Sequence, residues 1–187
     1  MNINCGLFFK DMTWKPKHIK VTKANKHVPL LKEAYEFAWK HSDDKSTKTG
    51  AVIVTPNLNQ ILAYGTNCFP PGVVMSEERF LSPLKYKFIE HAERDAIYSA
   101  AKQGIKLEGS TMYMPWSPCH DCARAIIESG IEELVGHKSM IMKTPQDWQG
   151  SIDDASEMLH EAGIRLFMYD GKLGGVKGLF RYEEWSP

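Results

Sequence analysis

Two short runs of the sequence carry residue types that together could build a catalytic metal site. His91 and Glu93 stand in a His-Ala-Glu run, and Cys119 and Cys122 stand in a Pro-Cys-His-Asp-Cys run. One imidazole and two thiolates supply three ligands for a tetrahedral Zn²⁺ and leave the fourth position to water. A carboxylate beside that position can carry the proton that the water releases. The runs therefore predict one catalytic zinc ion per chain, with Glu93 as the proton carrier.

The beginnings of two helices are expected to position these side chains. Ser117, Pro118 and Cys119 fit the N-cap and the first two positions of a helix. Both cysteines then lie on one face of the first turn, where the helix N-terminus stabilises thiolates. His91 is expected to open the preceding helix, which keeps Glu93 off the metal but near the open position. The sequence thus predicts that two helix N-termini converge on one ion.

The hydrophobic pattern predicts an α/β chain. Helices are expected at residues 28–41, 92–103, 119–129 and 151–162, and strands at residues 49–55, 60–64, 111–114, 133–135 and 164–169. The first two strands, joined by a Pro-Asn-Leu-Asn turn, should form a hairpin. Because strands and helices alternate after that hairpin, we expect a three-layer αβα fold with a mixed sheet of about five strands and helices on both faces.

Composition narrows the class of protein. The chain has 187 residues, 43% of them hydrophobic, and its 23 basic residues balance 23 acidic ones. This composition disfavours a disordered chain and a small disulfide-framework protein, and zero net charge disfavours a dedicated nucleic-acid binder. No run of apolar residues approaches the roughly 18 that a membrane-spanning helix requires. The apolar run near the N-terminus is also too short for the hydrophobic region of a secretory signal. We therefore expect a cytoplasmic protein with reduced cysteines, of which Cys5 and Cys68 are bystanders.

The combination of H-x-E with P-C-x-x-C resembles the signature of the zinc-dependent nucleobase deaminases. Within that superfamily the chain is most similar to the deoxycytidylate (dCMP) deaminase family, from about residue 31 to residue 169. The similar segments are residues 46–54, 85–93, 109–113, 119–122 and 125–135. The resemblance implies a cytidine-deaminase-like fold in which His91, Cys119 and Cys122 bind zinc and Glu93 is the proton shuttle. Residues 1–27 hold six lysines against one aspartate, so we expect them to form a lysine-rich N-terminal extension ahead of the deaminase domain, residues 28–187.

The activity implied by this resemblance is the hydrolysis of dCMP to dUMP and ammonia by a zinc-bound hydroxide. Asn67 matches a loop asparagine that holds the nucleotide, and the backbone N–H near Ala92 is a candidate to hold the base carbonyl. Trp116 and Ser117 are further candidates for substrate binding. Lys48, Lys85 and Lys87 are candidates for the 5′-phosphate, and for each of them the alternative is a solvated surface lysine. The implied partners are a small nucleotide and further copies of the chain, from dimer to hexamer, with no membrane and no nucleic acid.

Two departures from the family pattern keep other functions open. Residues 65–72 read Gly-Thr-Asn-Cys-Phe-Pro-Pro-Gly where the family usually reads Gly-Tyr-Asn-Gly-x-Pro-x-Gly. Mg²⁺ with dCTP or dTTP is therefore expected only if the family's allosteric regulation is retained. Residues 116–119 read Trp-Ser-Pro-Cys, which also resembles the polynucleotide cytidine deaminases of the AID/APOBEC group. The alternatives are a deaminase of free cytosine, cytidine or a modified base, a polynucleotide deaminase, and a non-enzymatic zinc module.

Overall fold

A mixed sheet of six strands forms the centre of the computed structural model, which describes residues 14–187. Its strands are β1 (Lys20–Thr22), β2 (Gly50–Val54), β3 (Ile61–Thr66), β4 (Thr111–Tyr113), β5 (Glu133–His137) and β6 (Arg165–Tyr169). They are arranged in the order β1-β6-β5-β4-β2-β3. The pairs β1–β6, β6–β5 and β5–β4 are parallel, whereas β2 pairs antiparallel with both β4 and β3. A separate antiparallel pair, β7 (Gly178–Phe180) and β8 (Glu183–Trp185), follows the sheet in the chain.

Helices cover both faces of the sheet and complete three layers. The helices are α1 (Val28–His41), α2 (Lys85–Phe88), α3 (Ala92–Lys102), α4 (His120–Glu128), α5 (Lys138–Ile141) and α6 (Gln146–Glu161), with 3₁₀ turns at Asn25–His27 and Glu77–Phe80. Helix α1 packs on one face, together with β7. Helices α3, α4 and α6 pack on the other face and against one another. This arrangement confirms the predicted α/β three-layer fold.

Strand β2 shows why the sheet is buried on both sides. All five of its residues are buried. Ala51 and Ile53 belong to the core beneath α3, α4 and α6, whereas Val52 and Val54 belong to the core beneath α1. Because successive side chains of a strand point to opposite faces, a continuous β-branched run suits a strand covered on both sides.

Close packing between β3 and α3 depends on Gly65. A Cβ atom at this position would lie 2.2 Å from the Ala92 carbonyl oxygen and 2.2 Å from the Ala96 backbone nitrogen. Only glycine therefore allows the helix backbone to approach the strand this closely. The contact fixes the beginning of α3, where His91 and Glu93 lie.

The structure corrects several predicted boundaries. The sheet has six strands rather than about five, because β1 adds a parallel edge strand beside β6. The β7–β8 hairpin was also not predicted. Helix α6 begins at Gln146, five residues before the predicted start, and α4 begins at His120 rather than within the Ser-Pro-Cys run. The predicted hairpin is confirmed, since β2 and β3 pair antiparallel from Gly50–Thr66 onward.

The described part of the lysine-rich segment packs on α6. The Trp14 indole Nε1 donates to Asp153 Oδ2 at 3.0 Å, and the His18 ring stacks on His160 with centroids 4.0 Å apart. The division of the chain at residue 27 stays a prediction, and Cys5 lies outside the described residues. Within residues 14–187, no helix combines the length and apolar character that crossing a membrane requires.

Candidate active site

Three predicted metal ligands meet where α3 and α4 begin. The His91 Nδ1 atom lies 3.5 Å from the Cys119 Sγ and 3.5 Å from the Cys122 Sγ. Ligand atoms of all three residues lie within 4.8 Å of one another. His91 is the N-cap of α3 and Cys119 is the N-cap of α4, so Cys122 falls in the first turn. The expected convergence of two helix N-termini is therefore present.

The cap of α4 differs from the predicted one. Cys119 itself holds the N-cap position, with extended backbone angles of φ −78° and ψ 172°, so the helix begins two residues later than the Ser117 cap would require. Cys122 consequently follows the cap by three residues, and both sulfurs still point to the same ligand cluster. The shift changes the helix boundary without separating the ligands.

This donor set fits Zn²⁺. Two sulfurs and one imidazole nitrogen are ligands that zinc prefers, and three protein ligands leave one tetrahedral position for a reacting water. The positive ends of α3 and α4 stabilise the thiolates that bind the metal. Among the described residues, His91, Cys119 and Cys122 form the only cluster of at least three such ligands. The cluster therefore has the composition of a catalytic zinc site.

Glu93 lies beside the cluster and is almost fully enclosed. Its side chain belongs to the first turn of α3, the residue is 8% exposed, and Oε2 lies 3.7 Å from the Cys122 Sγ. Burial raises the pKa of the Glu93 carboxyl above its ordinary value. A carboxyl group in such surroundings holds a proton more readily than an exposed one, which suits a residue that takes and returns protons.

A cavity of about 420 Å³ opens onto the cluster. His91, Glu93 and Cys119 form part of its wall. Its aromatic side chains come from several elements and are Phe80, Tyr86, Trp116, Trp148, Phe180 and Tyr182. The volume falls within the range of small-molecule sites, and the wall combines these aromatic side chains with many polar and charged ones. The cavity can therefore accept a small aromatic ligand against the metal cluster.

Four of the five predicted substrate-binding residues line this cavity: Asn67, Ala92, Trp116 and Ser117. The amide of Asn67 is fixed by two contacts, since its Oδ1 accepts from Thr49 Oγ1 and its Nδ2 donates to the Thr47 carbonyl at 3.4 Å. Trp116 is fixed by its Nε1, which donates to Thr144 Oγ1 at 2.8 Å. The side chains that form this wall are thus held in place by the protein.

Lys48 is the exception, and the structure corrects its predicted place in the site. Thr47 and Thr49 line the cavity, whereas Lys48 between them does not. Its ammonium donates to the carbonyls of Trp39 and Ser42, at 3.2 and 3.0 Å. Lys48 is therefore not a cavity residue.

Lys85 lines the cavity instead, as part of a buried ion pair. Its Nζ lies 2.9 Å from Asp44 Oδ2 and 2.6 Å from Ser46 Oγ. The residue is only 9% exposed. Removal of either partner would leave the other charge buried and unpaired, so this pair ties α2 to the segment before β2.

Several wall residues escaped the sequence-based prediction. Asp44, Trp148 and the hairpin residues Phe180, Arg181 and Tyr182 all line the cavity. Their positions carry no motif, and the hairpin lies more than fifty residues beyond the cysteine pair. The available signal was weak, because an Arg-Tyr turn lacks the Asn-Gly sequence that normally marks a two-residue hairpin.

His120, which lies between the two cysteine ligands, and Cys68 both lie outside the ligand cluster. The His120 Nδ1 is 2.8 Å from Ser151 Oγ, and the ring is directed toward α6. Cys68 pairs through its backbone with Glu90, and burial, followed by the nearby Asp95 carboxylate, raises the pKa of its thiol to about 12. Cys68 is not part of the metal-ligand cluster that the described residues form.

Comparison with known proteins places this arrangement among zinc-dependent deaminases. A family model described as the cytidine and deoxycytidylate deaminase zinc-binding region matches residues 24–138, more than half of the chain. The deoxycytidylate deaminase of Enterobacteria phage T2 is 43% identical over 77 residues, which are 41% of this chain and 37% of that protein. An uncharacterized deaminase from the luxG 3′ region of Aliivibrio fischeri is 32% identical over 131 residues, which are 70% of this chain and 85% of that protein.

A solved structure agrees with these sequence matches. The dCMP deaminase from cyanophage S-TIM5, crystallised in complex with dCMP and dUMP, superposes with a TM-score of 0.61 at 25% identity. The superposition covers 80% of this chain and 99% of the cyanophage protein. By contrast, the match to the phage T2 protein spans little more than a third of that relative's length.

Proposed function

Because the chain belongs to the cytidine and deoxycytidylate deaminase family, we propose that it hydrolyses dCMP to dUMP and ammonia. The observation that carries the proposal is the His91–Cys119–Cys122 cluster, with Glu93 beside it, in the wall of a cavity of about 420 Å³. The cyanophage relative solved with dCMP and dUMP supports the choice of nucleotide.

Glu93 is proposed as the proton shuttle of the reaction. Zn²⁺, when held by the three ligands, supplies the Lewis acidity that makes water a nucleophile near neutral pH. Glu93 takes the proton that water loses as it attacks C4 of the cytosine, and delivers it to ring nitrogen N3. A second proton from the attacking oxygen then passes through Glu93 to the amino group, which leaves as ammonia. The raised pKa of the Glu93 carboxyl supports this role, because the group must hold a proton between the two transfers.

Other wall groups are proposed to orient the base and exclude water. Ala92 occupies the first position of α3, so its backbone N–H has no partner within the helix and can donate to the base carbonyl O2. The fixed amide of Asn67 is proposed to bind the sugar. Trp116 and Trp148, with ring centroids 6.5 Å apart, supply apolar surface that suits a flat base.

A substrate panel tests the proposal. Purified protein with measured zinc content is given dCMP, CMP, deoxycytidine, cytosine, dCTP and single-stranded DNA, and deamination is followed by absorbance and ammonia release. We expect dCMP to have the highest kcat/KM. Turnover of the oligonucleotide alone would replace the proposal with a polynucleotide deaminase, and turnover of cytosine alone would replace it with a free-base deaminase.

A Glu93→Gln variant identifies the activity as that of this site. The amide is similar in shape but cannot shuttle protons, so we expect kcat to fall about 10²- to 10⁴-fold while zinc stays near one ion per chain. Retention of full activity by this variant would exclude Glu93 as the shuttle. Loss of zinc would instead show that the carboxylate helps to hold the ligand cluster.

We propose further that the protein is a cytoplasmic homo-oligomer, from dimer to hexamer. A compartment that keeps thiols reduced supports zinc binding by Cys119 and Cys122. Exposed apolar side chains support self-association, and four of them are at least half exposed: Val74, Met75, Leu81 and Tyr86. Light scattering at several concentrations measures the assembly. Control by dCTP or dTTP with Mg²⁺ stays a prediction.

A further inference from the structure

The turn of the β7–β8 hairpin has an unusual backbone. Arg181 and Tyr182 connect the two strands, and their φ angles are 50° and 68°. Two-residue turns with both φ angles positive favour Asn-Gly or Gly-Gly, because other side chains crowd the backbone in this region. Arginine and tyrosine are therefore costly choices here. Strained residues of this kind concentrate at functional sites, where the surrounding structure holds them in place.

Hydrogen bonds hold this turn against the cavity wall. The Arg181 backbone N–H donates to Thr47 Oγ1 at 3.1 Å, and the Tyr182 N–H donates to the Ser46 carbonyl at 2.8 Å. One residue further along, the Lys48 N–H donates to the Leu179 carbonyl at 3.0 Å. Ser46 and Thr47 line the cavity, as do both turn residues. The hairpin thus presents its turn to the same space that opens onto the metal cluster.

Among the basic side chains of the described residues that line the cavity, Arg181 is the one without a buried partner. The other basic side chains among the described lining residues are His91, which belongs to the ligand cluster, and Lys85. The Lys85 ammonium is buried against Asp44 at 2.9 Å. The Arg181 guanidinium contacts only Asp147 among acidic groups of the described residues, at 3.7 Å, and these side chains are 59% and 70% exposed. Such an exposed pair is weak, so the guanidinium donors are free to exchange partners.

We propose that Arg181 binds the 5′-phosphate of the substrate and makes the site selective for a nucleoside monophosphate over the nucleoside. The inference rests on the proposed deaminase function and adds a specificity residue to it. The planar guanidinium offers paired N–H donors that match two phosphate oxygens, and a dianionic phosphate attracts it more strongly than the exposed carboxylate of Asp147 does. Its backbone hydrogen bonds hold the turn beside the cavity before the substrate arrives, which lowers the entropy lost on binding.

Arg181→Gly is the variant that tests this role. Glycine favours positive φ, so the substitution removes the guanidinium and leaves the turn conformation available. Lys177→Ala is the matched control, because it removes one exposed positive charge next to the same hairpin but outside the cavity wall. Each protein is assayed with dCMP and with deoxycytidine, and the binding of dUMP is measured by calorimetry.

We expect Arg181→Gly to lower kcat/KM for dCMP about 10- to 100-fold, mainly through KM, and to weaken dUMP binding by a similar factor. Its kcat/KM for deoxycytidine should equal that of the wild type, and Lys177→Ala should match the wild type on both substrates. If the wild type prefers dCMP and Arg181→Gly keeps that preference, the phosphate role is overturned while the proposed function stands.

The dUMP arm separates this inference from the proposed function. If no cytosine nucleotide is deaminated, the function proposed above fails. Weaker dUMP binding by Arg181→Gly alone would then still support Arg181 as a phosphate ligand. Equal dUMP binding by the wild type and both variants would overturn it.

Discussion

Gly65 sets the distance between β3 and the helix that carries His91 and Glu93, so Gly65→Ala tests how tightly the fold positions the site. The added methyl group would lie 2.2 Å from the Ala92 carbonyl oxygen, whereas ordinary Cβ contacts begin near 3.4 Å. The obstructing atoms are backbone and cannot rotate away. Relief therefore requires α3 to move by roughly 1 Å relative to the strand.

A movement of this size has two consequences. Overpacking of this kind costs about 1–3 kcal/mol of folding free energy. Metal–ligand distances tolerate only about 0.2 Å, so a shift of α3 relative to α4 separates His91 from the two cysteine ligands and weakens zinc binding. A misplacement of about 1 Å also lowers turnover by about 100-fold. We therefore expect Gly65→Ala to fold with a lower Tm, weakened zinc affinity and a kcat about 100-fold below that of the wild type.

Gly150→Ala is the matched control for this experiment. Gly150 lies within α6, and a Cβ atom there meets nothing within 4 Å. Alanine is the better helix former, so this variant should gain about 0.5–1 kcal/mol and keep full activity. Thermal unfolding, a competition assay with a zinc indicator and dCMP turnover are measured for both proteins. Unchanged zinc affinity and kcat in a folded Gly65→Ala protein would refute the argument that this contact positions the ligands.

Three further substitutions test the ligand cluster, the buried ion pair and the N-terminal segment. Cys122→Ser should reduce zinc below one ion per chain and abolish turnover; zinc analysis and the dCMP assay check this, and a fully loaded active variant would contradict it. Lys85→Met leaves the buried Asp44 carboxylate without its cation and should cost about 3–5 kcal/mol; denaturant unfolding measures this, and a loss below about 1 kcal/mol would contradict it. Trp14→Ala should cost about 1–3 kcal/mol without changing kcat, because Trp14 contacts α6 rather than the cavity; a changed kcat at unchanged stability would contradict this.

The ligand cluster was predictable from the sequence because residues close together in the chain determine its geometry. His91 and Cys119 each hold a helix N-cap, and Cys122 follows in the same first turn, so short spacings determine which side chains face one another. The cap itself was mispredicted, because N-cap propensity favours Ser117, whereas the helix begins after Cys119.

The missed strands depend on long-range pairing. Strand β1 has three residues and becomes a strand only by pairing with β6, where Lys20 lies opposite Phe167. A segment this short and lysine-rich resembles a solvated tail when only its neighbours in sequence are considered. The β7–β8 hairpin escaped for a related reason: hydrogen bonds to Ser46 and Thr47 hold its turn in a conformation that its own residues disfavour.

The part of the cavity wall away from the ligand cluster could not be predicted from short sequence spacings. Lys48 and Lys85 are equally charged in the sequence, yet the Lys48 ammonium donates to the backbone carbonyls of Trp39 and Ser42, whereas Lys85, at the start of α2, lies in the cavity wall. Trp148 of α6 and Arg181 of the β7–β8 hairpin also line the cavity, and neither lies at a fixed sequence spacing from the ligands. Under the proposed function, the ligand cluster supplies the same chemistry to any cytosine base that reaches it, so we expect the choice among base, nucleoside and nucleotide to depend on these distant residues. Changes of Arg181 should therefore alter which substrate is preferred, whereas changes of the zinc ligands should remove activity toward all of them.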